Sequence, residues 1–272
     1  MPYLPRALPV FTLIACCSLA ACQETQPPAT SAGEPPPVAD APGVPEPAAQ
    51  PVDGVEHAPP AQPFRAVGQE PSWILRINEG QAELITDFGQ RSVTLPLTGT
   101  EHDGPVTRFT AADAAHRLAA TVTRGVCRDS MSGMPHPFSV SVVMDGTQMN
   151  GCGGEPLSLL TDRNWVVEDL DGGGIIDRSR ITLAFSGEDG RLYGLASCNR
   201  FMAGFSLSGE GLSISQAAAT MMACAESLMI QEQKFLNILG AVSSFNIDDT
   251  GALVLSGPGG TLKAYPETTP AD

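Results

Sequence analysis

Between residues 64 and 266 the chain is written mostly in the two-residue period of a β-strand, and once in the period of a helix. Alternation puts every second side chain on one face, so each segment can bury one face and wet the other. Segments of this kind, or short β-branched runs, fall at 73–77, 82–86, 93–97, 116–123 and 138–144. A second series falls at 165–170, 180–185, 192–197, 202–207, 212–217, 244–247, 252–255 and 261–265. Gly, Asp and Asn separate them, and Asp145-Gly146 has the form of a two-residue hairpin turn. The exception is 225–243, where Leu228, Phe235, Leu239 and Val242 share one helical face, flanked by Leu236, with Glu232 and Lys234 directed outward. Its polar face is not basic, which argues against a helix lying on a membrane. The pattern predicts a mainly β protein, α+β in its C-terminal part. It has two small antiparallel β domains, the second a curved sheet packed on one helix.

The residues before 64 follow other rules. Ala7 to Ser18 is an apolar run after a single charge, Arg6. It is too short for a spanning helix, which needs about 20 residues, and suits the core of a secretory signal peptide. Leu19-Ala20-Ala21-Cys22 follows and resembles the bacterial lipobox. That resemblance implies cleavage before Cys22, a lipid on its thiol, and loss of Cys16 and Cys17 with residues 1–21. Gln23, where an Asp would retain the protein at the inner membrane, implies the periplasmic face of the outer membrane. Residues 23–63 hold 12 of the 24 prolines, six acids and no Lys or Arg. Such a stretch buries too little surface to offset chain entropy. It is expected to be an extended tether, so 22–63 forms the anchor and its spacer. The remaining segments are an N-terminal β domain over 64–160, a second domain over 161–266 and a tail, 267–272.

The formal charge is −15, and removing residues 1–21 takes away Arg6 and no acid, leaving −15 − 1 = −16. Nucleic acid is excluded as a partner, because phosphate binding needs a basic face. A basic envelope protein is compatible with this charge. Four cysteines remain after Cys22: Cys127, Cys152, Cys198 and Cys224. In an oxidising compartment they are expected to pair, and three pairings can be drawn. The local one gives each half a bridge closing about 25 residues, worth roughly 3 kcal/mol by loop entropy. A zinc site is the competing reading, without a C-x-x-C pair or a nearby His to support it.

The second half resembles the META/HslJ family of bacterial envelope proteins over 161–266. The resemblance rests on Trp165 and its apolar strand, Gly194-Leu195-Ala196-Ser197-Cys198-Asn199, Ala203-Gly204 and Thr220-Met221-Met222-Ala223-Cys224. Gln231-Glu232-Gln233-Lys234-Phe235, Leu236 to Leu239 and Leu253-Val254-Leu255 before Gly257 complete it. Ser197 departs from the Gly usual before Cys-Asn, a position where Gly would serve a tight turn. The family implies a compact antiparallel β structure with one packed helix, and links to heat-shock, motility and novobiocin-resistance phenotypes, without an agreed activity. The first half is similar to a group of uncharacterised bacterial envelope proteins. Its matching stretches are Phe64 to Trp73, Cys127 to Gly133 and Gly151 to Gly154. Both cysteines of that half lie inside them, which supports Cys127–Cys152 and Cys198–Cys224.

The candidates for chemistry are few. The histidines are His57, His102, His116 and His136, none in the second domain. No H-E-x-x-H, G-x-S-x-G or Walker loop occurs, and Gly257-Pro258-Gly259-Gly260 is a turn with no helix after it. Asp129, Ser130 and His136 share a loop with Arg128, so a nucleophile beside a base is conceivable. Asp129 and Ser130 bonding local backbone in a turn closed by Cys127 is the better expectation. Asp169, Asp171 and Asp177 around Gly172-Gly173-Gly174 lack the spacing of an EF-hand and fit a glycine hairpin loop. Asn199 can bind a ligand or, as preferred, cap backbone groups beside the disulfide. Trp73 and Trp165 are expected as core anchors. Ser186-Gly187 leading to Tyr193 resembles the Ser-Gly…Tyr motif of periplasmic lysozyme inhibitors. The expectation is a non-enzymatic envelope lipoprotein for binding or stress protection, without cofactor or metal. The alternatives are a lysozyme inhibitor and a hydrolase using the 127–136 loop.

Overall fold

Strand β1 (Phe64–Gln69) buries Phe64, Ala66 and Gly68 and turns Arg65, Val67 and Gln69 outward. The same alternation runs through β2 (Ser72–Asn78), β3 (Gln81–Thr86), β4 (Arg91–Asp103), β5 (Val106–Ala112), β6 (Arg117–Arg128), β7 (Pro135–Met144) and β8 (Thr147–Gly153). In this computed structural model, which describes residues 59–267, the eight strands pair antiparallel in chain order. Pairing of β1 with β8, at Ala66↔Gly153 and Val67↔Cys152, closes them into a barrel. Trp73, Leu75, Ile77, Leu95 and Phe109 fill its inside. Glycines in the wall make the room. A Cβ on Gly68 would lie 2.1 Å from Trp73 Nε1, and one on Gly151 would lie 2.0 Å from the Val67 carbonyl oxygen. Trp73 Nε1 is buried with no partner among the described residues.

Asp145 (φ 50°) and Gly146 (φ 85°) join β7 to β8, both in the left-handed region that a type I′ turn requires. Strands β1, β5 and β8 go beyond the segments expected from alternation. In β8 the inward positions include Gly151 and Gly153, so the apolar beat is silent there. In β5 the beat is carried by Thr107, Phe109 and Ala111, with one large side chain in three.

The second part begins with a helical turn α1 (Ser158–Thr161), followed by β9 (Trp165–Leu170), β10 (Ile181–Ser186), β11 (Arg191–Leu195), β12 (Arg200–Ser208) and β13 (Gly211–Ile214). Then come β14 (Ala218–Ala219), helix α2 (Glu226–Gly240), β15 (Ser244–Ile247), β16 (Leu253–Gly257) and β17 (Gly260–Pro266). They form one antiparallel sheet in the order β13-β12-β11-β10-β9-β17-β16-β15, with β14 on β12. The sheet curls until its ends meet. Leu212 N donates to the Ser243 carbonyl at 3.1 Å, and Gly211 (φ 130°) comes so close that a Cβ would sit 2.2 Å from that oxygen. Helix α2 plugs the curl with Phe235, Ile238 and Leu239, and Phe235 meets Phe201 edge-on at 5.3 Å. Both tryptophans are core anchors, each 1% exposed, and Trp165 Nε1 donates to the Leu160 carbonyl at 3.0 Å.

Glu232 and Lys234 do not simply face water. Lys234 Nζ donates to the Leu170 carbonyl at 2.7 Å, and the Glu232 carboxylate turns to the backbone of Cys198 and Asn199. Carbonyls and amides at the ends of β9 and β11 need partners, and the flanks of α2 supply them.

All described residues fall in one compact unit. Arg128, at the end of β6, donates through Nε to Asn246 Oδ1 at 3.0 Å and through a terminal nitrogen to the Ile247 carbonyl at 3.4 Å. Met134 packs on the core of the second sheet. Among the described residues no helix is long and apolar enough to cross a membrane. The signal segment, Cys22 and the tether up to residue 58 lie outside the described residues.

Candidate functional site

The β6–β7 connection is where barrel and second sheet meet. The disulfide Cys127–Cys152, with Cα atoms 5.5 Å apart, fixes its root to β8. Beyond it, Asp129 is 7% exposed and organises the tip. Its Oδ1 accepts from Ser132 N at 2.7 Å, Ser132 Oγ at 2.8 Å and Met131 N at 3.1 Å. Its Oδ2 accepts from Gln69 Nε2 at 3.0 Å. Burial pushes this carboxyl up, but the bonds from Ser132, Gln69 and Met131 together hold it below the usual range. The turn therefore uses Asp129 with Ser132, and Ser130 is exposed with no side-chain hydrogen bond among the described residues. His136 Nδ1 lies 2.9 Å from the Gly154 carbonyl, so it carries the proton and donates.

These residues border a cleft of about 640 Å³ between the barrel and the second sheet. Its apolar lining is made by Met134, Leu157, Phe205 and Leu207. Phe205 and Leu207 continue the inward row of β12 begun by Phe201 and Ala203, so the cleft opens onto the end of the second core. Its polar lining includes Arg65, Gln69, His136 and Glu155. Arg65 makes no side-chain hydrogen bond or ion pair among the described residues. A smaller groove of about 510 Å³ runs over the barrel's outer wall, lined by Thr121, Thr123, Ser139, Ser141 and Asn150. It shares Gln69 and Asp129 with the cleft.

The sequence points to Asp129 and His136 in this region, and to Gln69 only as part of the stretch Phe64 to Trp73, but not to Leu157, Phe205 or Leu207. Phe205 and Leu207 carry a signal in hindsight, as inward-facing residues left half-buried at the end of a strand. Nothing in that stretch points to the partner of Gln69, which lies sixty residues away.

Asn199 belongs to a different arrangement. It is 3% exposed, beside the disulfide Cys198–Cys224. Its Nδ2 donates to Glu232 Oε1 at 2.9 Å, and its Oδ1 accepts from Thr220 Oγ1 and Met222 N, each at 2.8 Å. Its own N donates to Glu232 Oε2 at 2.7 Å. The amide thus caps the 220–224 loop and ties it to α2. Next to it, Gln231 is 8% exposed and bridges Ile176 N, Ser179 Oγ and Ser197 Oγ. Ser197 sits at φ 88°, the left-handed region that favours glycine.

The acidic glycine loop is a turn. Asp169 accepts from Gly172 N at 2.7 Å and Gly174 N at 2.8 Å. Among the described residues no three His, Cys, Asp or Glu side chains are grouped to hold a metal ion. Ser186 ends β10 opposite Arg191, while Tyr193 stands on β11, half exposed, two residues farther along.

Residues 158–269 match the family model described as META domain. The second sheet with its helix is a META domain. The match starts three residues before and ends three residues after the span expected from the motifs. No curated protein matches this chain. Among solved structures, a protein from Burkholderia xenovorans, determined by NMR, is 25% identical. The likeness covers 42% of this chain and 90% of that one, with a TM-score of 0.35. A second NMR structure is 26% identical over 39% of this chain and 91% of its own, with a TM-score of 0.33. With TM-scores this low, these likenesses say nothing further about fold or function.

Proposed function

We propose that this chain is a non-enzymatic lipoprotein of the bacterial envelope, held at the periplasmic face of the outer membrane by lipid on Cys22. Its META domain and barrel together form a binding or stress-protection module. The observation that carries the reading is the cleft. Its lining combines apolar side chains with a few polar ones, the make-up of a small-molecule site. Asp129, next to Ser130 in the chain, is already employed, since it accepts four hydrogen bonds. A nucleophile at Ser130 would need a base within hydrogen-bond reach, and the exposed Ser130 hydroxyl makes no side-chain hydrogen bond among the described residues. The lipobox and the residues matching envelope proteins support the location.

The test has two arms. Cys22→Ser should move the protein from the membrane to the soluble fraction, and unchanged partition would refute the anchor. The purified chain should turn over no ester, amide or glycoside substrate. Turnover lost on Ser130→Ala or His136→Ala would refute the non-enzymatic reading.

A further inference from the structure

Eight of the nine methionines lie among the described residues, and five of those eight are exposed. Methionine is a core residue by its hydrophobicity, so this is the reverse of its usual placement. Four of the five belong to one stretch of surface around the Cys198–Cys224 disulfide. Met221 is 99% exposed, Met222 55%, Met202 49% and Met229 46%. The topology brings them together. Met202 on β12 pairs with Ala218 on β14, and the chain then runs through Met221 and Met222 to Cys224. Met229 lies on α2 three residues before Glu232, whose carboxylate binds Asn199.

The backbone here does not depend on the thioethers. Asn199 holds Met222 through its N at 2.8 Å and its carbonyl at 3.4 Å. Thr220 N donates to the Arg200 carbonyl at 3.0 Å, and the disulfide closes the loop. The four sulfurs thus sit on a braced loop and its neighbours, in solvent.

We propose that Met202, Met221, Met222 and Met229 form a sacrificial trap for two-electron oxidants, with hypochlorous acid as the reactant. In each reaction the thioether sulfur attacks the oxygen of HOCl. An S–O bond forms and the O–Cl bond breaks, with its electron pair leaving on chloride. The hydroxyl proton is released, and the product is methionine sulfoxide. Sulfur is oxidised by two electrons and chlorine is reduced by two. Sulfoxide reductases return the thioether, so the trap is renewable. Polar sulfoxides in a core disrupt it, but at these positions the added oxygen faces water.

The experiment titrates the full purified chain with hypochlorous acid, maps sulfoxides by peptide mass spectrometry and follows the melting temperature. Met221 should convert first, and the four should convert before Met149, which is 5% exposed inside the barrel. The melting temperature should hold while they do so, and methionine sulfoxide reductase should restore them. The variant M202L/M221L/M222L/M229L should fold with an unchanged melting temperature and lose the matching share of oxidant uptake. Oxidation of Met149 at the same pace would overturn the proposal. So would a fall in melting temperature in step with the four sulfoxides, or their resistance to the reductase.

Discussion

Gln69 and Asp129, sixty residues apart, are joined by a hydrogen bond of 3.0 Å from the amide Nε2 to the carboxylate Oδ2. The bond ties the outer face of the barrel's first strand to the tip of the β6–β7 connection. That tip also carries Arg128 to Asn246 and Met134 to the core of the META domain. Asp129→Ala is expected to lower stability by about 1–3 kcal/mol, the range for leaving partly buried donors without an acceptor. Urea unfolding of the two proteins measures it. The acid side should show the same group. A carboxyl whose folded pKa is depressed stabilises above its unfolded value, about 3.9, and that support is lost as pH falls through the folded value. The Asp129→Ala variant should lack this component of acid denaturation.

The pair Asn199 and Glu232 should behave as one unit. Asn199→Ala and Glu232→Ala each remove bonds that the other also uses. Each is expected to cost about 1–3 kcal/mol, and the double variant should cost less than their sum. A double-mutant cycle on unfolding free energies reads the coupling, and strict additivity would show that the two act separately.

Position 197 should invert the usual order of alanine and glycine. With φ at 88°, any Cβ is strained, and Ser197 also accepts from Gln231 at 3.0 Å. Ser197→Ala keeps the strain and loses the bond, whereas Ser197→Gly loses both. Glycine is therefore expected to be more stable than alanine here by about 1 kcal/mol, against its ordinary deficit. Thermal melts of the two variants decide it.

His116 offers a pH test away from the cleft. Its Nδ1 lies 2.7 Å from Asp145 Oδ2, and that hydrogen bond raises the imidazole pKa above 6.5. A raised pKa stabilises the fold fully below the unfolded value and stops doing so as pH rises through the folded one. An NMR titration should place His116 above its ordinary value and above His116 in Asp145→Asn. A value unaffected by the substitution would contradict the pairing.

The main architecture is legible in the sequence because burial writes it there. Trp165 and Val167, or Phe235, Ile238 and Leu239, repeat with the period of the element they occupy. The META motifs and the helix are legible for the same reason. What escapes is whatever depends on a partner far along the chain or on a missing side chain. Glycines at 151 and 153 erase the pattern of β8, so closure of the barrel cannot be read from period alone. Glu232 looks solvent-facing on a helical wheel, yet it turns inward because the turn at Cys198 and Asn199 presents free amides. The cleft is assembled from Gln69, Leu157, Phe205 and Leu207, residues with no shared motif.

The central claim is that the cleft between barrel and META domain is where this protein binds. The most direct measurement places a photo-crosslinking amino acid at Leu207 or Leu157 in the cleft, and at Asp103 outside it, in the full chain in living cells. A specific adduct from positions 207 and 157, absent from 103, is the predicted result. Adducts only from position 103, or none from the cleft, would contradict it.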